Sequence, residues 1–292
     1  MNATYTGRFA PSPTGPLHLG SLATALGSYL DAKIHQGQWL LRIEDIDQAR
    51  CKPAFANDIV SALNAHGLHA DGDIGFQSKR QAAYQHTLGQ LTRLGLVFPC
   101  ACTRKTIEKA NTGREFGAHR IYPGTCRQGL AQGLKTRAIR FHCPAHPLQW
   151  TDHRLGRFTE HLAHTSGDFV LQRGDGFWAY HLVVVVDDIQ SNITHIVRGE
   201  DLVKTTARQV ALYNALGATP PSYWHLPVIL AQDGQKLSKQ TGAQALNIDT
   251  PIDNLNKVWR HFGMPAMTTK HLRTWLQTAL PMWKNYRQQQ KY

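Results

Sequence analysis

The sequence predicts an α/β fold: a parallel sheet as the main body, a small inserted subdomain that holds zinc, and a helical C-terminal segment. Three observations predict it. A strand, helix, strand order opens the chain, short apolar stretches resume after residue 167, and three of the cysteines are confined to the region between. The 292 residues, against roughly 150 for a typical domain, leave room for one domain with a large insertion or for two. Hydrophobic residues make up 42% and charged residues 18%. That is enough apolar side chain to offset the entropy of ordering, which excludes a chain disordered throughout.

Tyr5 to Ala10 is a short apolar-rich strand that runs into Pro11, Pro13, Gly15 and Pro16. Leu19, Leu22, Ala23, Leu26, Tyr29 and Leu30 then recur at helical spacing. After a break at Gly37, Trp39 to Ile43 forms a second strand that ends on Glu44, Asp45 and Asp47. This order is the βαβ unit of a Rossmann-like parallel sheet, whose ligands bind beyond the carboxyl ends of the strands. Helices follow at about 55–66 and 79–94, so that 1–98 is the first half of the catalytic domain. Residues 99–166 change character: they carry Cys100, Cys102 and Cys126, many His, Gly and Pro, and only short apolar groups such as Ala138 to Phe141. They are expected to form an insertion with its own small fold.

The sheet resumes in 167–230, with a strand at 168–173. Leu182 to Val186 has the continuous apolarity of a strand buried on both faces, so 180–187 is expected as a strand. A further strand at 193–197, a helix at 202–216 and a strand at 224–230 complete this half. The last segment, 231–292, opens on a glycine-flanked basic loop, Gly234 to Gly242. Helical spacing then returns, with Leu255, Val258, Trp259 and Phe262, and again with Leu272, Trp275, Leu276 and Leu280.

Charge points to the partner. There are 32 basic residues against 20 acidic ones, a net +12, and Lys and Arg that neutralise phosphates release condensed counterions on binding. A nucleic acid is therefore expected. No apolar run approaches the ~18 residues that cross a bilayer, and the first ten residues lack a basic start followed by an apolar stretch. The expectation is a soluble, cytoplasmic protein with no membrane partner. Five cysteines, an odd number with three of them clustered, argue for a reducing compartment and a metal rather than a disulfide framework.

Two segments carry phosphate chemistry. Pro13 to Gly20 lies between the first strand and the first helix, where backbone N–H groups and the helix dipole favour phosphate. Gly15 and Gly20 let a nucleotide approach closely, and His18 can donate to a phosphate oxygen. In the basic loop, Lys236 and Lys239 are spaced to clamp a triphosphate and to neutralise the charge that grows as pyrophosphate leaves. The thiolates of Cys100, Cys102 and Cys126 favour tetrahedral zinc, which needs a fourth ligand. His119 is the local candidate, and His142 and Cys143 are remote ones.

In this order, residues 13–21 (PTGPLHLGS) and 236–240 (KLSKQ) resemble the two signature motifs of class I aminoacyl-tRNA synthetases. Gly7 to Gly15, Arg42 to Asp47 and Ile196 to Leu202 are similar to the glutamyl branch, and the resemblance covers residues 4–247. Two positions depart from the general motifs. Ser21 replaces a second histidine, as is common in the glutamyl branch, and Gln240 replaces a final serine, which bears on loop closure but not on Lys239. The sequence ends 52 residues past Gln240, whereas bacterial glutamyl enzymes continue into a helical anticodon-reading domain. This layout, and the lysine loop ending in Gln240, resemble the short paralogues of the branch.

That resemblance implies tRNA-independent activation of L-glutamate with ATP and Mg2+ to glutamyl-adenylate. It further implies transfer of the glutamate to queuosine at the anticodon wobble position of tRNA(Asp). The alternatives are a truncated synthetase that charges the terminal adenosine and a tRNA-binding paralogue without activity. By the same resemblance, His18 and Lys239, assisted by Lys236, are catalytic, and His18, Gly20 and Lys239 bind ATP. Arg8, Phe9, Ala10, Pro11, Ser12, Glu44, Tyr180 and Arg198 bind glutamate. Tyr122 joins Cys100, Cys102 and Cys126 on one structural zinc, which organises the subdomain that meets the nucleic acid.

Ligand charge supports the amino-acid pocket independently. One ammonium and two carboxylates call for one acidic group and two basic or hydroxyl groups. Glu44 is assigned to the ammonium, and Arg8, Arg198 and Tyr180 to the carboxylates. The competing reading pairs the arginines with Asp45 or Glu200. A monomer is the default expectation, and Lys284, Arg287 and Lys291 are either RNA contacts or a solvated end.

Overall fold

The structure, a computed structural model, describes residues 4–112, 121–230 and 244–290. In chain order, the first half comprises β1 (Thr6–Phe9), α1 (Leu19–Ile34), β2 (Gln38–Ile43), α2 (Pro53–Ala65), β3 (Gly75–Phe76) and α3 (Gln81–Arg93). Next come β4 (Val97–Cys100), α4 (Arg104–Ala110), β5 (Ala138–Phe141), β6 (Leu148–Asp152), β7 (Gly156–Glu160) and the single turn α5 (Leu162–Thr165). The chain then continues through β8 (Val170–Arg173), α6 (Tyr180–Gln190), β9 (His195–Gly199), α7 (Val203–Ala215) and β10 (Ser222–Leu226). It ends in α8 (Pro251–His261) and α9 (Leu272–Gln289).

The opening βαβ unit is present. β1 and β2 pair in parallel with Phe9 opposite Leu41, and β3 continues the sheet beyond β2. On its other side β1 runs beside β9, where the Thr194 N–H donates to the Thr6 carbonyl at 2.9 Å. β9 pairs in parallel with β10, and β10 in parallel with β6. β6 and β7 form an antiparallel hairpin, so a hairpin from within 99–166 is hydrogen-bonded to the second half of the main sheet. A separate antiparallel sheet has the order β4-β5-β8. The strands expected at 193–197 and 224–230 are β9 and β10, displaced by a few residues.

Residues 180–187 correct the sequence reading: they belong to helix α6 rather than to a strand. Leu182 to Val186 are all buried, and a helix buried all round shows no amphipathic period to tell it from a central strand. The β-branched run lowers helix propensity, but packing between α3 and α7 overrides it. The helix also determines where two acids go. In a strand Asp187 and Asp188 would point to opposite faces. In α6 both are buried, with Asp187 accepting from Gln77 and Arg80 and Asp188 from Arg8 and Arg42.

Helices α8 and α9 pack on α1, with Trp259, Trp275 and Trp283 fully buried. Arg287 is therefore neither a surface RNA contact nor part of a solvated end. It is buried, donates to Asp31 of α1 at 2.5 Å and lies 4.4 Å above the Trp224 ring. Lys284 is exposed, and Lys291 lies outside the described residues. Replacing Arg287 by alanine leaves the buried Asp31 carboxylate with the Tyr5 hydroxyl but without its cation. A cost of about 3 kcal/mol is expected, read as a lower thermal midpoint; an unchanged midpoint would contradict this account. Among the described residues no helix is long and apolar enough to cross a membrane.

Candidate active site

A cavity of about 350 Å³ opens beyond the carboxyl ends of β1, β2 and β9. Crossover helices leave these strand ends clear, which is where parallel sheets bind ligands. Arg8 and Phe9 reach it from β1, Ala10, Pro11 and Ser12 from the loop that follows, and His18 and Gly20 from the start of α1. Glu44 enters just after β2, Tyr180 is the first residue of α6, and Arg198 comes from β9. Every described candidate for glutamate and ATP thus lines one cavity. Lys236 and Lys239 lie outside the described residues. Thr24, Asp201 and Pro227 also line the cavity and were not singled out from the sequence. Pro227 directly follows β10, so the strand-end rule alone could have found it.

His18 is the N-cap of α1. Its Nδ1 accepts the Ser21 N–H at 3.3 Å, which leaves the ring proton on Nε2 as a donor. The first turn of α1 carries no acidic side chain, so its positive end is available to an anion.

The arginines did not take the acids named as alternatives. Asp45 accepts the Ser78 N–H and hydroxyl at 2.8 and 2.6 Å, and Glu200 pairs with Arg154. Arg8 instead pairs with Asp188, Nε to Oδ1 at 3.1 Å and Nη2 to Oδ2 at 3.3 Å. Arg42 joins them, 2.6 Å from Asp188 and 3.3 Å from Glu44 Oε1. Burial disfavours the Asp188 carboxylate, but Arg42 and Arg8 outweigh it and hold the group below the usual carboxylate range. At Glu44 the balance is reversed: burial pushes its carboxyl up, and Arg42 and Arg8 offset only part of the rise. Three uncharged side chains hold Arg198, namely His225 at 3.0 Å, Gln209 at 2.8 Å and Thr206 at 2.9 Å.

The sulfurs of Cys100, Cys102 and Cys126 lie within 4.8 Å of one another. A tetrahedral zinc with ~2.3 Å bonds to sulfur sets S–S edges near 3.8 Å, and Cys102 and Cys126 are 3.7 Å apart. The Tyr122 hydroxyl is 3.5 Å from the Cys100 sulfur and 3.9 Å from that of Cys102. The four donors fit the metal. The remote candidates are engaged elsewhere: the Cys143 sulfur accepts from Arg127 Nη2 at 3.7 Å, and the His142 ring packs on Phe98. His119 lies outside the described residues.

A family model for the catalytic domain of class I tRNA synthetases (E and Q) matches residues 5–272. Fold, cavity and family model together define the class, a ligase-type aminoacyl-tRNA synthetase domain of the glutamyl and glutaminyl kind. The glutamyl-Q tRNA(Asp) synthetase of Verminephrobacter eiseniae is 46% identical over 289 residues, covering 97% of this chain and 98% of that protein. The protein of the same name from Cupriavidus metallidurans is 49% identical over 287 residues, covering 97% and 92%. The chain belongs to the glutamyl-Q tRNA(Asp) synthetase family. Among solved structures, a glutamate tRNA ligase from Elizabethkingia meningosepticum in complex with its amino acid is 33% identical with a TM-score of 0.71. The match covers 82% of this chain and 52% of that ligase, so the chain spans about half its length.

Proposed function

We propose that the chain activates L-glutamate with ATP, without tRNA, and transfers the glutamate to queuosine at the wobble position of tRNA(Asp). A second acid, Asp201, also lines the cavity, and the observation that carries the activation step is the set that Glu44 forms there with Arg8 and Arg198. That set complements one ammonium and two carboxylates. The acceptor is argued from relatives of that name, matched over almost their whole length. Glu44 holds the ammonium. Arg198, Arg8 and Tyr180 face the carboxylates, and residues 9–12 wall the pocket.

An oxygen of the α-carboxylate attacks the ATP α-phosphorus, the bond to the β-phosphate bridging oxygen breaks, and pyrophosphate leaves with its electron pair. Such in-line transfer calls for positioning and charge stabilisation rather than a protein nucleophile. His18 supplies an Nε2 donor at the start of α1, and Gly20 lets the nucleotide approach. Lys239, assisted by Lys236, neutralises the leaving pyrophosphate. Bound Mg2+ supplies further charge neutralisation on the phosphates. A hydroxyl of queuosine then attacks the acyl carbon, and AMP leaves.

Cys100, Cys102, Tyr122 and Cys126 are proposed to hold one structural zinc. Cys102→Ala is expected to lose the metal in elemental analysis while glutamate-dependent pyrophosphate exchange persists, because the cluster does not line the cavity. A variant that keeps stoichiometric zinc would refute the assignment.

The test of function is transfer of labelled glutamate, with ATP, onto tRNA(Asp) with and without queuosine and onto tRNA(Glu), followed by nuclease mapping. Label on the anticodon fragment of queuosine-containing tRNA(Asp) alone is the expected result. Label on the terminal adenosine of tRNA(Glu) would make this a charging enzyme instead.

A further inference from the structure

Arg8 and Arg198 reach the same cavity from adjacent strands but are held in opposite ways. Arg8 is tied to the Asp188 carboxylate, which it shares with Arg42. Among the described residues, the hydrogen bonds of Arg198 go to neutral acceptors: Gln209 and Thr206 of α7, and His225 of β10. The third contact belongs to a longer device. His225 stands opposite Arg198 in the β9–β10 register, and Asp152 of β6 lies on the other side of β10. Asp152, His225 and Arg198 thus run across three neighbouring strands, all of them buried.

The hydrogen bonds fix the protonation pattern. Arg198 Nε–H donates to His225 Nε2 at 3.0 Å, so Nε2 carries no proton. The ring proton then sits on Nδ1, 2.7 Å from Asp152 Oδ2. Asp152 is itself immobilised by backbone donors. The His225 N–H reaches Oδ2 at 2.9 Å, and those of Arg154 and Leu155 reach Oδ1 at 3.0 and 2.8 Å. Burial holds the His225 imidazole below its ordinary value, against the pull of Asp152, so the ring is neutral at neutral pH. With the other tautomer, Nε2–H would face Arg198 Nε–H, donor against donor.

We propose that Asp152 and His225 are positioning residues that fix Arg198 without neutralising it, and so set selectivity for a carboxylate over a carboxamide in the amino-acid substrate. The proposal rests on the reading that Arg198 takes a glutamate carboxylate. An arginine already paired with an acid has less to gain from an anionic ligand than one held by neutral acceptors, and discriminates less between glutamate and glutamine. The arrangement also gives the β6–β7 hairpin a function, since Asp152 is the last residue of β6.

The test is glutamate-dependent ATP–pyrophosphate exchange by the full chain, in wild type and in Asp152→Asn, His225→Gln, His225→Leu and Arg198→Ala variants. The KM for glutamate, the KM for ATP, kcat and the glutamate-to-glutamine ratio of kcat/KM are measured, with folding checked by thermal melts. Asp152→Asn is expected to raise the glutamate KM about tenfold to a hundredfold, to leave the ATP KM unchanged and to lower the selectivity ratio. His225→Gln, whose Oε1 can accept from Arg198, should lose less than His225→Leu; if the leucine variant does not fold, the asparagine and glutamine variants decide. Unchanged glutamate KM and ratio in Asp152→Asn and His225→Gln, beside a raised KM in Arg198→Ala, would overturn the positioning role. Equal loss in every parameter would reduce it to a structural role and overturn it too. An ordinary glutamate KM in Arg198→Ala would instead remove the underlying assignment of Arg198, and the proposal with it.

Discussion

Replacing Glu44 by glutamine is expected to raise the KM for glutamate in pyrophosphate exchange by about a hundredfold, corresponding to about 3 kcal/mol, with the KM for ATP unchanged. Glu44 is 9% exposed at the cavity wall and is the acid assigned to the substrate ammonium. Glutamine keeps the shape but removes the charge, and its amide N–H groups would oppose the ammonium donors. The pH dependence gives a second handle. Burial pushes the Glu44 carboxyl above its ordinary value, and Arg42 and Arg8 offset only part of the rise. The substrate ammonium stays charged in mild acid, so glutamate binding is complete above the raised value and weakens as pH falls through it. In wild type the glutamate KM should therefore climb on acidification; in Glu44→Gln that acid limb should be missing. A variant with an ordinary KM would remove Glu44 from the site.

Asp188→Asn is expected to destabilise the fold by about 3–5 kcal/mol, because it leaves Arg8 and Arg42 buried beside each other without the carboxylate they share. For a chain of this size that corresponds to a thermal midpoint lower by roughly 10 °C. Because the folded protein holds the Asp188 carboxyl below its unfolded value, the stabilisation is present above the unfolded value. It is lost as pH falls through the depressed one. Wild-type and variant midpoints should differ most at neutral pH and converge in acid. A difference independent of pH would assign the effect to packing rather than to the ion pairs.

The elements legible in the sequence are those with a one-sided apolar pattern and a breaker at each end. The unit from β1 to β2 is bounded by Pro11 to Pro16 and by Gly37, and Leu22, Ala23, Leu26 and Leu30 of its helix are buried at helical spacing, so it is read correctly from residues alone. The candidate site is legible for a related reason. Arg8, His18 and Glu44 follow or end local elements whose carboxyl or amino ends are marked, and Arg198 sits in a motif that continues into Glu200 and Asp201. Helix α6 carries no such mark: with Leu182 to Val186 all buried, its pattern is that of a central strand.

Residue order and local stereochemistry thus determined which side chains would gather at the cavity and in the cysteine cluster, because strand ends, helix starts and cysteine spacing are short-range properties. Partnership among buried charges was decided only in three dimensions. Arg8 finds Asp188 across 180 positions and His225 finds Asp152 across 73, through strand neighbours that no local period encodes. Burial then makes each choice binding, because a charge or polar group removed from water must be satisfied by whatever the fold places beside it.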